Sequence, residues 1–405
     1  MRGNLRVLIL SDFGYATGGS ERVNVELREG LKRRGHDARI FASRAPSAPA
    51  NAVFEADFSC FGSTGWSRRV LPMANPSAWL NLRHALQAFQ PDVVHVRMFL
   101  AQLSPLILPL LRGRPALLHL GSYQLACPLG TRILPDGSGC RYPPGVACYR
   151  QACVGPVGLL RTAVQQGAWS RWRSLFRLIV ANSQAMAQAL RDAGLHVDTV
   201  IRNGTRIVEP RPPLGDSPII ACAGRLVPAK GVDDLLAAMP LVAERVPGVR
   251  LLIVGDGPDR HRIEELVRRS PIREQVALHG HLDPPALNRL LRDAWVQVLP
   301  SRFREPSANV LPEAMMRGSA VVATATGGTP EVVQDGMTGF LVPPGNPLAL
   351  AERLVEVVGN RDLAERMGAA GRKLALAELT TERMTERFEA AYRTLVTAPG
   401  PVATG

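Results

Sequence analysis

SRFREPSANVLPEAMMRGSAVVATATGGTPE, residues 301–331, decides how this chain is read. The apolar run VQVL at 296–299 just before it reads as a short buried strand. Residues 301–305 then form a loop at the strand's carboxyl end, 308–316 a helix, and Gly318 its stop, with a second strand at 320–323. Glu305 and Glu313, with seven residues between them, are thereby planted where a strand gives way to a helix. In open parallel sheets, ligands sit at such strand ends. Two carboxylates could also serve as the acid/base pair of glycoside hydrolysis, which requires them on opposite sides of one bond. Spacing alone leaves both readings open.

The same alternation runs outward in both directions. Upstream, strands at 5–11, 38–42, 93–96, 116–120 and 178–181 are interleaved with helices at 19–34, 100–111 and 184–193. Residues 44–49 read as loop, and RIVEPRPPLGDS at 206–217 as an interdomain linker. Downstream, strands at 219–223, 250–254, 276–279, 296–299 and 320–323 form a second βα series. The expected fold class is α/β, with two facing Rossmann-like doubly wound domains and a cleft between them. The expected boundaries are 1–205, carrying a Cys-rich insertion at 121–156, and 206–380. A C-terminal helix at 381–397 and a frayed tail at 398–405 complete the chain.

A chain of 405 residues suggests two domains. No apolar run reaches membrane-spanning length, and MRGNLRVLILSDF passes directly from a short basic start into a strand-length run; the expectation is a cytoplasmic protein. The net charge of +13 is lopsided: residues 1–200 hold 23 Lys+Arg against 11 Asp+Glu (+12), and 201–405 hold 25 against 24 (+1). Such a basic half could rest peripherally on anionic lipid; arginine-rich composition, with only Lys32, Lys230 and Lys373 as lysines, is the plainer account. WSRWRSLF at 169–176 reads as a helix mixing aromatics with arginines, able to meet a membrane or to pack with a solvated basic face. Nucleic acid is not an expected partner, since aromatics are few and no nucleic-acid module is present.

Four further motifs accompany the two glutamates: NG at 203–204, GRLVPAKGVDDLL at 224–236, LLIVGDGP at 251–258 and GGTPE at 327–331. In this order the set resembles the retaining, nucleotide-sugar-dependent glycosyltransferases of family 4 (glycosyl transferases group 1), closely over 180–345 and more loosely over 1–120. The resemblance implies the GT-B fold and transfer of a sugar from a nucleoside-diphosphate sugar. The implied acceptor is an envelope polysaccharide, a lipid-linked saccharide or a small molecule. The resemblance also implies that no cofactor is required for catalysis.

A departing diphosphate gathers charge, so fixed cations and backbone donors should face it. Gly224, Arg225 and Lys230, on the loop opening a helix near Val232, fit that need; by resemblance Arg225 and Lys230 hold the diphosphate. Backbone N–H groups around Ser307 and Asn309 are further candidate phosphate donors, and Gly18 and Gly19 could let backbone approach a ligand or simply make a tight turn. By resemblance Glu313 bonds the ribose hydroxyls and Glu305 faces the donor sugar. Pro312 before Glu313 must sit in the helix's first turn or bend it. Gly327, Gly328 and Glu331 match a motif beside the site and equally make a turn and a helix start.

LLHLGSYQLACP at 117–128 departs from the family. Many members carry a His two residues before the Tyr, where this chain has Gly121. His119 is the candidate to substitute for it, with a core histidine as the alternative. Cys127, Cys140, Cys148 and Cys153 follow in a Gly- and Pro-rich insertion; four thiols there are a candidate structural zinc site, with free thiols or disulfides as alternatives. Two rival functions remain: a non-catalytic nucleotide-sugar-binding subunit, motivated by Gly121, and a glycoside hydrolase or phosphorylase using Glu305 and Glu313.

Overall fold

The computed structural model describes residues 3–15, 18–45 and 53–397; the expected tail at 398–405 and positions 46–49 of the loop read at 44–49 lie outside them. Two compact units divide the chain, Met1–Gly204 with Thr381–Gly405, and Thr205–Thr380. We call them unit 1 and unit 2.

Unit 1 is built on a parallel sheet of seven strands: β1 (Arg6–Phe13), β2 (Asp37–Ser43), β3 (Phe58–Cys60), β4 (Val93–Val96), β5 (Ala116–Leu120), β6 (Phe176–Ala181) and β7 (Thr199–Val200). Their spatial order is β3-β2-β1-β4-β5-β6-β7. Central strands of such a sheet are covered on both faces, which is why β4 and β5 are buried at every position. The C-terminal helix Thr381–Thr397 belongs to this unit and packs on the helix Gly19–Arg33. Gly30 permits that approach, since a Cβ there would stand 2.2 Å from Thr385 Oγ1. Phe388 and Tyr392 of the same helix are buried in the unit 1 core.

Unit 2 repeats the plan with six parallel strands: β8 (Ile219–Ala223), β9 (Arg250–Val254), β10 (Val276–His279), β11 (Val296–Leu299), β12 (Ala320–Thr324) and β13 (Gly339–Val342). Their order is β10-β9-β8-β11-β12-β13. In each sheet the strand order reverses once, between β1 and β4 in unit 1 and between β8 and β11 in unit 2. The carboxyl ends at these two switch points are where ligands of open α/β sheets sit.

Two expected helices come out differently. Residues 100–111 form turns followed by a 3-10 run, Pro105–Leu111, because Pro105 and Pro109 lack the N–H that an α-helix needs there. The helix expected over 169–176 is the end of a longer one, Pro156–Trp172; a turn at Arg173–Leu175 follows and Phe176 already opens β6. Among the described residues no helix is long and apolar enough to cross a membrane.

Candidate functional site

In unit 2, β8 ends at Ala223 and its loop makes a single 3-10 turn, Pro228–Lys230, before Gly231 starts the helix Val232–Arg245. Gly231 adopts φ +64°, and a Cβ there would fall 2.0 Å from the carbonyl oxygen of Pro300, so only glycine lets this loop lie against the one after β11. Behind it the GDG turn presses on the GRL turn: a Cβ on Gly257 would meet the Leu226 carbonyl at 2.2 Å. Leu226 N–H donates to the Asp256 carbonyl at 3.0 Å. The glycines of both motifs thus serve close backbone packing that fixes where Arg225 and Lys230 emerge.

Across the switch point, the loop after β11 carries Glu305, which is buried. Lys230 Nζ donates to Glu305 Oε1 at 2.6 Å, and Ser301 Oγ donates to the same oxygen at 2.7 Å. The backbone around Glu305 is clamped as well. Gly328 N–H donates to the Glu305 carbonyl at 2.8 Å, and a Cβ on Gly327 would collide with that carbonyl at 2.2 Å. Gly327 and Gly328 therefore hold the glutamate loop in place, while Thr329–Glu331 forms a 3-10 turn. Arg225 is exposed, and with Lys230 it lines a small cavity closed by Val254, Leu299 and Pro300.

The helix after this loop runs Val310–Arg317 and ends at Gly318 in the left-handed conformation, φ +84°. Pro312 falls in its first turn, where its missing N–H has no intrahelical partner to lose, and the helix is not broken. Glu313, half-buried, stands one position on, and Ser307 and Asn309 lie on the loop that leads in. Within this unit Gly224, Arg225 and Lys230 lie on the loop after β8 and Glu305, Ser307 and Asn309 on the loop after β11, with Glu313 in the helix that follows; the Lys230–Glu305 bond joins the two loops. Ser301, which shares the Glu305 oxygen, is missing from the sequence reading; a serine after a strand carries no signal of its own. Asp234 is also missing. It accepts from Arg302 Nε at 2.8 Å and anchors the start of the glutamate loop.

The unit 1 candidates fare differently. Gly18 caps the helix Gly19–Arg33, but the helix's own Glu21 folds back over it, so that a Cβ on Gly18 would stand 2.5 Å from Glu21 Oε2. Desolvation raises the Glu21 pKa, against the pull of nearby backbone N–H groups and of Arg97. The N-terminal end read as open to a ligand already has a carboxyl over it.

His119 is wholly buried, its ring centroid 4.8 Å from that of Phe388. The structure thus places His119 as a core histidine, the alternative read from the sequence, and not as a residue facing a substrate. It belongs instead to a polar chain inside the core. Arg97 Nη1 can only donate, and it lies 2.9 Å from His119 Nδ1, which must accept. His95 Nε2, 3.2 Å from the same Nδ1, must then carry the proton, so His95 Nδ1 accepts from the Tyr392 hydroxyl at 2.5 Å. Both rings are held neutral. Burial, seconded by Arg97, lowers His95 to about 3 and His119 well below the usual histidine value.

Cys127, Cys140, Cys148 and Cys153 line one small cavity together with Ile133, Leu134 and Tyr142. All are free thiols. Among the described residues, however, no group of three or more His, Cys, Asp or Glu side chains is arranged to hold a metal ion. Cys140 Sγ lies 4.0 Å from the Tyr142 carbonyl and Cys153 Sγ 3.7 Å from that of Gln151. The structure shows the four cysteines as free thiols, one of the alternatives read from the sequence, and lends no support to the zinc expectation.

Comparison with known proteins places this geometry. The pattern of the family described as Glycosyltransferase Family 4 matches residues 17–207, and that of Glycosyl transferases group 1 matches residues 205–374. A GDP-mannose-dependent alpha-(1-6)-phosphatidylinositol monomannoside mannosyltransferase of Mycobacterium tuberculosis is 35% identical over 171 residues, 41% of this chain and 44% of that protein. An alpha-D-kanosaminyltransferase of Streptomyces kanamyceticus is 28% identical over 44% of this chain and 46% of its own length. The chain thus spans less than half the length of these curated relatives. Among solved structures, sucrose-phosphate synthase from Thermosynechococcus elongatus superposes with a TM-score of 0.74 at 23% identity, covering 98% of this chain and all of that one. Anabaena HepE in complex with UDP and glucose gives 0.70 at 19%, covering 96% and 100%. These likenesses establish the fold as GT-B. With two family patterns meeting at the junction of its two units, the chain belongs to the family 4, group 1 glycosyltransferases.

Proposed function

We propose that this protein transfers a sugar from a nucleoside-diphosphate sugar to a saccharide acceptor with retention of anomeric configuration. Unit 2 holds the donor and unit 1 the acceptor. The carrying observation is the Lys230–Glu305 pair at the switch point of unit 2, a cation and a carboxylate bonded at 2.6 Å and reinforced by Ser301. Arg225 and Lys230 take the diphosphate, with backbone donors near Ser307 and Asn309. Glu313 takes the ribose hydroxyls and Glu305 positions the sugar. In the reaction the bond from the anomeric carbon to the β-phosphate oxygen breaks. The acceptor oxygen bonds that carbon on the same face, and its proton passes to the departing phosphate. Arg225 and Lys230 stabilise the charge that grows on the phosphate. The relatives support a nucleotide-sugar donor: one is GDP-mannose-dependent by name, and HepE was solved with UDP and glucose.

The acceptor in this reading is lipid-linked or polysaccharide, and the protein works at an anionic membrane surface on the cytoplasmic side. Support comes from unit 1, where Trp66, Val157 and Leu160 are exposed apolar groups near Arg68 and Arg69. The helix bearing Val157 and Leu160 packs against the turn bearing Trp66, Arg68 and Arg69. Flotation with phosphatidylglycerol vesicles checks this: wild type should float, and Trp66→Ser with Leu160→Ser should not. For the reaction, purified protein incubated with a panel of nucleotide sugars should bind one class and release its sugar slowly to water. Binding without release would favour a non-catalytic subunit, and release of sugar from a saccharide lacking nucleotide would favour a hydrolase.

A further inference from the structure

Arg97 stands directly after β4, at the switch point of unit 1, and is only 3% exposed. Burying a guanidinium is costly unless ion pairs and hydrogen bonds answer it. Here Nη1 is answered by a neutral histidine, His119, and Nε has no hydrogen-bond partner. The nearest acids do not pair with it. Asp12 accepts from the backbone N–H groups of Ala101, Gln102 and Leu103 at 2.7–2.9 Å, and Glu21 acts on Arg97 only through longer-range attraction. The other terminal nitrogen, Nη2, reaches toward Gly121 at the end of the neighbouring strand β5. A Cβ on residue 121 would lie 3.1 Å from it, closer than ordinary contact. The absence of a side chain at 121 and the presence of a long cation at 97 are therefore one arrangement. The guanidinium occupies the room that Gly121 leaves, held by the chain His119, His95 and Tyr392.

We propose that Arg97, seated in the space left by Gly121, is the oxyanion-binding residue of unit 1 and selects an acceptor that carries a phosphate or a carboxylate. A planar guanidinium with unsatisfied donors matches either group, whereas a neutral sugar leaves its charge unanswered. This rests on the reading that unit 1 takes the acceptor and is independent of which donor unit 2 binds.

The test titrates the full chain with glucose 6-phosphate, glucuronate and glucose, in wild type, Arg97→Met and Gly121→Ala, each preparation also being titrated with GDP and UDP and checked by thermal unfolding. To exclude sugar phosphate held by unit 2, the series is repeated with Arg225→Ala present. Wild type should bind at least one charged sugar about tenfold or more tighter than glucose. Arg97→Met should erase that preference while leaving nucleotide affinity within about twofold, since the site of Arg225 and Lys230 is untouched. Gly121→Ala should weaken the preference severalfold with the charge retained, by pushing Nη2 aside. Preference for glucose 6-phosphate alone identifies a phosphate-bearing acceptor, and preference for glucuronate alone a carboxylate-bearing one. Equal binding of charged and neutral sugars, or full selectivity in Arg97→Met, overturns the proposal; if that variant fails to fold, an unchanged Gly121→Ala overturns it. Failure of nucleotide binding in wild type with selectivity intact would instead remove the donor reading of unit 2.

Discussion

The switch points of the two sheets place an arginine or lysine in opposite circumstances. In unit 2, Lys230 is paired with Glu305 and Arg225 lies in the open. In unit 1, Arg97 stands at a strand end, nearly all buried and bonded to a neutral ring, with no carboxylate against it. In the first arrangement the lysine is part-exposed, so a phosphate can reach it while the buried Glu305 stays bonded to it and to Ser301. The second has already met the cost of burial through a chain of neutral hydrogen bonds, so it is sensitive to any proton that enters that chain. A strand end in this fold can thus present charge by exposure or by support from within.

The sharpest way to break the contrast is at Glu305. Changing Glu305→Gln keeps the volume and the Ser301 contact but removes the charge; sugar transfer should fall about 10²–10³-fold while nucleoside diphosphate affinity stays nearly unchanged. Steady-state kinetics and calorimetry on one preparation separate the two effects. Arg225→Ala should do the reverse, weakening diphosphate binding about tenfold or more through loss of a charge-assisted contact and leaving the fold intact because the side chain is exposed. Equal loss of both functions in both variants would dissolve the division of roles.

On the unit 1 side the effects are on stability. Tyr392→Phe removes the donor to His95 Nδ1 and leaves a buried acceptor unsatisfied, which should cost about 1–3 kcal/mol in denaturant unfolding. The pH response has a definite sign. His95 titrates near 3 when folded and near 6.5 when unfolded, so below about pH 6.5 the unfolded chain binds protons that the folded one refuses. His119, also lowered, adds to the same effect. The stability associated with these neutral rings is present above about pH 6.5 and lost progressively as pH falls toward about 3. Substituting His95→Gln should flatten that part of the unfolding midpoint against pH, if only modestly.

Much of the fold was legible because parallel strands are buried on both faces and write themselves as short apolar runs: 93–96, 116–120 and 219–223 coincide with observed strands. The unit 2 site was legible for a related reason. Its cations and carboxylates sit on loops next to glycines that close backbone packing demands, as at Gly231 and Gly327. What escaped was the interior of unit 1. His95 lies in an apolar strand and its partner Tyr392 is far along the chain, so no local pattern joins them. Arg97 was hidden among the many arginines of a basic half. The 3-10 run Pro105–Leu111 was misread because apolar content outweighed its two prolines. The four cysteines line one cavity as free thiols, and their number in the sequence could not separate that from a metal site.

The central claim is that Arg225, Lys230 and Glu305 form a donor site in unit 2. Calorimetric titration of GDP and UDP into wild type, Arg225→Ala with Lys230→Ala, and Glu305→Gln tests it most directly. The account predicts saturable binding of at least one nucleotide to wild type and to Glu305→Gln, and its loss in the double variant. Undiminished binding in the double variant, or no nucleotide binding to wild type, would contradict it.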